Sequence, residues 1–178
     1  AMKSKLFGEA KVREFLEVRS LPELVELLEE TEYRTAFVES STNFSGMDLF
    51  THALQAHWVA TLQKVVRITP QNGRRLLAVF LREYEIQNLA ALFASKETGV
   101  ALPDTDLVFL NPKAREFFGA LSQKDSVAAI VYALRPTEYY TTLASTQVAF
   151  DQTRDFRVFI RGLYAYHFKG LLDFAEKE

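Results

Sequence analysis

Apolar residues recur every three or four positions through most of this chain, a period that predicts helices rather than strands. Over residues 47 to about 68, Leu49, Phe50, Ala53, Leu54, His57, Trp58 and Leu62 form one stripe. Over 71–96, the longest pattern, Leu77, Phe80, Leu81, Tyr84, Asn88, Leu89 and Leu92 lie on one side. Further helices are predicted over about 123–134, 136–143 and 147–173. No segment alternates apolar and polar residues between hairpin turns, so the predicted class is all-α.

The punctuation between these patterns agrees. Ser20-Leu21-Pro22-Glu23 is a capping box ahead of Leu24, Val25, Leu27 and Leu28. Ser45 with Asp48 repeats that logic in a weaker form. Thr69-Pro70 reads as a cap and first turn, Thr98-Gly99 as a helix stop, and Asn111-Pro112 as another start. The opening Ala1-Met2-Lys3-Ser4-Lys5-Leu6 reads as the interior of a helix rather than a natural start. Residues 100–111, with Pro103, two Asp and the apolar run Leu107-Val108-Phe109-Leu110, read as a linker. The expected organisation is a first helical unit over 1–99, this linker, and a shorter second unit over 112–178.

Internal similarity supports two units. Lys11-Val12-Arg13-Glu14-Phe15-Leu16 recurs as Lys113-Ala114-Arg115-Glu116-Phe117-Phe118. Thr31-Glu32-Tyr33 recurs as Thr137-Glu138-Tyr139, and Val79-Phe80-Leu81-Arg82 resembles Val158-Phe159-Ile160-Arg161. Three matches in one order point to a duplicated helical unit of about 90 residues, and units of that kind pack side by side to form a joint surface.

Composition narrows the function. There is no Cys, so neither a disulfide framework nor a thiolate site is available, and a reducing compartment fits. The net charge of −2 gives no general attraction to nucleic acid or an anionic membrane. No apolar run approaches the ~20 residues that span a bilayer.

Candidate chemistry is sparse. His52 and His57 are five apart, on different helical faces, and His167 stands alone, so metal ligation is unsupported. No Gly-x-Ser-x-Gly elbow and no phosphate-binding glycine loop occurs. Asn72-Gly73-Arg74-Arg75 at a helix start can attract an anion, but a solvated cap is the commoner role. Glu29-Glu30, and Glu83 with Glu85, read as solvated charge on outer faces. The aromatic-rich stretch from Phe156 to Phe174 reads first as core, with a partner-binding groove as the sharper option.

Four stretches carry a resemblance to a known family. Ala1 to Leu6 looks like its N-terminal helix. Ser20-Leu21-Pro22-Glu23-Leu24 through Thr31-Glu32-Tyr33 looks like its "S-L-x-E-x-x-x-x-L-x-x-T-x-Y" stretch. Leu81-Arg82-Glu83-Tyr84-Glu85-Ile86-Gln87-Asn88-Leu89 looks like its "Y-[DE]-x-x-N-[IL]" helix, and Thr137-Glu138-Tyr139 repeats the Thr-x-Tyr mark. The chain thus resembles the C subunit of archaeal-type (A/V-type) ATP synthases, the counterpart of the d subunit of vacuolar ATPases.

The resemblance implies a shortened form of the family's three-unit funnel of helices. It implies a non-catalytic central-stalk connector with no cofactor, whose partners are the proteolipid rotor ring and the central shaft subunits. Such a connector couples proton or sodium transport to ATP synthesis or hydrolysis. It would be cytoplasmic and peripheral to the membrane through protein contacts. The alternative is a helical-repeat adaptor outside the ATPase. The motif residues read as structural: Thr31 and Thr137 bond backbone at helix junctions. Tyr33, Tyr84 and Tyr139 each bury a ring and need a partner for the hydroxyl. Asn88 bonds Tyr84, one turn before it, or a neighbouring helix.

Overall fold

The computed structural model describes residues 7–103 and 106–176; the opening Ala1 to Leu6 string lies outside the described residues. Among the described residues there are nine helices and no strand. They are α1 (Glu9–Glu17), α2 (Leu21–Glu29), α3 (Arg34–Ser40), α4 (Gly46–Ile68), α5 (Gln71–Thr98), α6 (Pro112–Ser122), α7 (Val127–Ala133), α8 (Tyr139–Thr153) and α9 (Arg157–Ala175).

Local chemistry sets most of the ends. The Ser20 hydroxyl accepts from the Glu23 N–H at 3.4 Å, and the Glu23 carboxylate reaches back to the Arg19 N–H at 3.1 Å, which opens α2. Asn111 accepts from the Ala114 N–H at 2.9 Å and opens α6. Ser126 accepts from the Ala129 N–H at 3.2 Å and opens α7. Ser126→Ala is expected to cost about 1 kcal/mol, read by chemical denaturation. Helix α5 stops at Gly99, whose φ of 70° is the left-handed conformation that glycine adopts without strain.

Several ends differ from expectation; the helix expected from residue 123, for one, begins at Val127. The Thr69 hydroxyl bonds back to the Val65 carbonyl at 2.7 Å, so it closes α4 instead of opening α5. The helix expected over 147–173 is interrupted, and the break expected near residue 145 is absent. Thr146 bonds the Thr142 and Leu143 carbonyls within its own helix, so the chain continues as α8. It stops at Arg154, where φ is 55°, and Asp155 then accepts from the Arg157 N–H at 3.0 Å to start α9.

The chain forms two compact units, the first ending at Thr61 and the second beginning at Leu62. The core of the first unit is small: Leu28, Ala36, Phe37 and Ala53 are buried, with Phe15, Leu24, Val25, Tyr33 and Phe50 among the partly buried residues against them.

In the second unit α9 runs antiparallel to α5. Phe93 meets Phe159 at 5.8 Å between ring centroids, and Gly170 lies against Val79 and Arg82. Helix α8 is equally close to α9. A Cβ at Gly162 would lie 3.0 Å from the Thr146 methyl and 3.2 Å from that of Thr142, so glycine sets the approach. The core includes Ile86, Leu89, Leu92, Phe118, Ile130, Leu134, Leu143 and Leu163.

Part of the stretch expected to be a linker between units belongs to this second core. Leu107 and Phe109 are buried in it, together with residues of α5 and α6. The expected boundary at 100–111 therefore lies inside the second unit, because the apolar run 107–110 has its burial partners on both sides of it in sequence.

Candidate functional site

The six motif residues divide between the units. Thr31 and Tyr33 lie in the first, and Tyr84, Asn88, Thr137 and Tyr139 in the second.

The two threonines make the same local bond. Thr31 donates its hydroxyl to the Leu28 carbonyl at 2.6 Å, and Thr137 donates to the Leu134 carbonyl at 2.7 Å. Their backbone N–H groups go to the same carbonyls, at 3.0 and 2.9 Å. Each threonine thereby closes the helix before it and turns the chain into the next. The two tyrosines that follow diverge. The Tyr33 ring stacks on His57 at 4.0 Å and on Phe7 at 6.0 Å. Tyr139 is buried, and its hydroxyl donates to the Glu85 carboxylate.

Asn88 is 2% exposed and uses both ends of its amide. Its Nδ2 donates to the Val108 carbonyl at 2.8 Å, and its Oδ1 accepts from the Val108 N–H at 2.9 Å. The expectation for Asn88 is a bond to Tyr84 or to a neighbouring helix; the structure shows this two-way clasp on the backbone of the 106–111 segment. It satisfies a peptide group that has neither helix nor sheet to pair with inside the core. Tyr84 lines a cavity of about 240 Å3 with Val66, Leu81, Leu110 and Phe118.

Around Tyr139 lies a network of charged side chains where sequence alone suggests solvated charge. Arg82 of α5 donates to both Glu138 oxygens at 3.0 Å. The Tyr166 hydroxyl of α9 donates to Glu138 at 2.8 Å, and the Arg82 guanidinium sits 5.3 Å from the Tyr166 ring centroid. Glu85 is exposed, as its expected outer-face position implies, and it also accepts from Tyr139. The signal available in the sequence is spacing: Arg82, Glu85 and Asn88 follow one another at i, i+3, i+6, a row that winds from the half-buried Arg82 past the exposed Glu85 to the buried Asn88.

Burial pushes the Tyr139 phenol well above its ordinary value of 10, and the neighbouring Glu85 carboxylate adds to the rise. Burial also raises Tyr166, helped by its bond to Glu138. A phenol raised in the fold holds its proton after the unfolded one has lost it. Its stabilisation is therefore complete below about pH 10 and is lost as pH rises beyond that value. Alkaline unfolding is expected to begin above about pH 10, and Tyr139→Phe is expected to flatten that dependence, as followed by circular dichroism against pH.

The histidines sit in aromatic surroundings. His52 packs on Phe44 at 3.9 Å, and His167 is buried on α9. Among the described residues no group of three His, Cys, Asp or Glu is placed to hold a metal ion. The aromatic stretch of α9 is divided by face: Phe159, Leu163 and His167 are buried, whereas Phe168 and Leu172 are 57% and 63% exposed. The core reading holds for the buried side of the helix, and the other side is open to solvent.

The family model for the ATP synthase (C/AC39) subunit matches residues 1–178. The chain belongs to this family. Among the C/AC39 relatives, the C subunit of the A-type ATP synthase of Methanocaldococcus jannaschii is 29% identical over 170 residues, covering 94% of this chain and 43% of the relative. That of Methanosarcina mazei is 31% identical over 145 residues, covering 80% of this chain and 40% of the relative. That of Archaeoglobus fulgidus is 27% identical over 183 residues, covering 99% and 52%. This C/AC39 chain spans about half the length of the curated relatives it matches. No described helix is long and apolar enough to cross a membrane.

Proposed function

We propose that this chain acts as a non-catalytic central-stalk connector of an A-type rotary ATPase, between the membrane rotor ring and the central shaft. The observation that carries the reading is the family match along the whole chain. In that role it transmits torque and couples proton or sodium movement to ATP synthesis or hydrolysis elsewhere in the complex. It does so as a cytoplasmic subunit held to the membrane through other proteins. Close-packed helical interiors suit such a task, because they pass strain on with little compression. The exposed apolar residues Phe80, Phe168 and Leu172 of the second unit supply surface for protein contacts.

A duplicated helical unit is part of the same proposal. Ser20 and Ser126 cap their helices alike, and Thr31 and Thr137 close theirs alike. Both pairs are separated by 106 residues (126 − 20 and 137 − 31). Superposing residues 11–97 on 113–176 tests it, and a mismatched helix order would refute the duplication. The adaptor reading, outside any ATPase, has no observation in its favour beside the family match.

Affinity capture of the natural gene product from its own cells tests the connector role. Co-purification of proteolipid ring and shaft subunits is the expected result. Capture of neither, from membranes that retain an intact ATPase, would end the reading.

A further inference from the structure

The cavity beside Tyr84 has a use that the motif residues do not explain. It opens between the end of α4, helix α5, the 106–111 segment and α6. Val66, Ala78, Leu81, Leu110, Ala114 and Phe118 supply most of its apolar wall. Its other walls are held from elsewhere: Val108 by Asn88, Arg82 by Glu138 and Glu85 by Tyr139. The space is therefore preformed. At about 240 Å3 it falls below the roughly 300–1,000 Å3 of small-molecule sites and suits one large side chain.

Its lining holds one cation and one carboxylate, Arg82 and Glu85, but the exposed residues that flank the lining in sequence are mainly basic, in a chain whose net charge is −2. From Leu49 to Arg82 there are five Lys or Arg and no Asp or Glu. Arg67 follows Val66 and shares a helix face with Gln63, whose amide donates to the Phe109 carbonyl at 3.5 Å. Arg74 and Arg75 lie one turn before Ala78 on α5. Arg74 Nε donates to the Thr69 carbonyl at 3.2 Å, which holds that side chain at the α4–α5 corner. Arg67, Arg74 and Arg75 are all exposed, as are Lys113 and Arg115 on either side of Ala114. The carboxylates nearby are Glu85 at the cavity edge, Glu138 on Arg82, Glu83 beside it, Asp106 on the flanking segment and Glu116 on α6; with Arg82 counted, the cations still outnumber them.

We propose that this cavity docks an acidic segment of a partner protein. One large apolar side chain fills the cavity, and flanking carboxylates pair with Arg67, Arg74 and Arg75. Guanidinium forks match carboxylates two bonds at a time, and a buried apolar anchor ringed by charge is the usual form of a binding hot spot. A lipid is the poorer occupant, because the cavity has room for a side chain but not for the length of an acyl chain. The inference stands independently of the ATPase role: the chain could co-purify with ring and shaft and still lack this site.

The test uses the whole chain and a fluorescein-labelled helical peptide of Glu and Ala with one central Phe, followed by anisotropy. Saturable, salt-sensitive binding is expected. It should weaken about tenfold in the double variant Arg74→Glu/Arg75→Glu, as reversed rim charges do, and about thirtyfold when the peptide Phe is replaced by Ala. Ala78→Phe, at an exposed wall position, should abolish it while the circular dichroism melt stays unchanged. Absence of saturable binding, or binding indifferent to both variants, would overturn the proposal. So would the finding that phosphatidylglycerol vesicles bind the chain through these arginines while the peptide does not.

Discussion

Asn88→Ala is expected to lower the stability of the second unit by about 3–5 kcal/mol, the largest loss anticipated from a single polar side chain here. The reason is the clasp on Val108. Removing the amide leaves one N–H and one C=O of the 106–111 segment without partners inside the core, and each such orphan costs about 1–3 kcal/mol. The apolar contacts of Leu107 and Phe109 depend on the same peptide staying in place, so their loosening adds to the loss. A thermal melt should fall by roughly 10 °C or more. Asn88→Asp separates hydrogen bonding from packing. Its carboxylate can still accept from the Val108 N–H but faces the Val108 carbonyl with negative charge. That variant should therefore be destabilised at neutral pH and should recover in part on acidification toward about pH 4, as the protonated acid regains a donor. If Asn88→Ala melts like the unaltered chain, the clasp is not a support of the fold.

The second large effect is expected from Phe37→Ala. Phe37 is fully buried and meets the Phe50 ring at 6.3 Å in a unit with only three other buried hydrophobic residues among those described. Truncating a buried Phe costs about 3–5 kcal/mol in transfer and cavity terms. For so small a core that is most of the stability available. Hydrogen exchange should show the loss as local: amides of α2 and α3 lose protection, while those of α5 and α9 keep it. Uniform loss along the chain would contradict the division at Thr61.

These two sites illustrate what is legible in the sequence. The ends of α2, α5 and α6 are readable because each rests on residues a few positions apart: Ser20 with Glu23, Gly99 with Ser95, Asn111 with Ala114. The all-α class is readable because it needs only the helical period. The role of residues 106–111 is not, since it depends on Asn88 meeting Val108, 20 residues away. Pro103 and two Asp mark irregular backbone, but nothing local distinguishes an exposed linker from a strap folded into a core. The division at Thr61 is hidden for a related reason, because it falls inside the unbroken periodicity of α4.

Side-chain roles follow the same rule. Thr31 and Thr137 bond backbone three residues away, as their chemistry at a helix junction predicts. The Glu85, Glu138, Arg82 and Tyr166 network joins three helices across more than 50 positions of sequence in its Arg82–Glu138 and Tyr139–Glu85 bonds. Glu85, next to Tyr84 in sequence, is exposed as expected, but its bond to Tyr139 is set by tertiary structure and has no local signal. The false break near residue 145 comes from a polar pair, Ser145-Thr146, whose hydroxyls bond back into their own helix.

The connector role is tested most directly by cross-linking mass spectrometry on the native, intact A-type ATPase that contains this gene product. Cross-links from the chain to both a ring proteolipid and a central shaft subunit are the predicted result. Cross-links confined to peripheral subunits, or recovery of the complete complex without this chain, would contradict it.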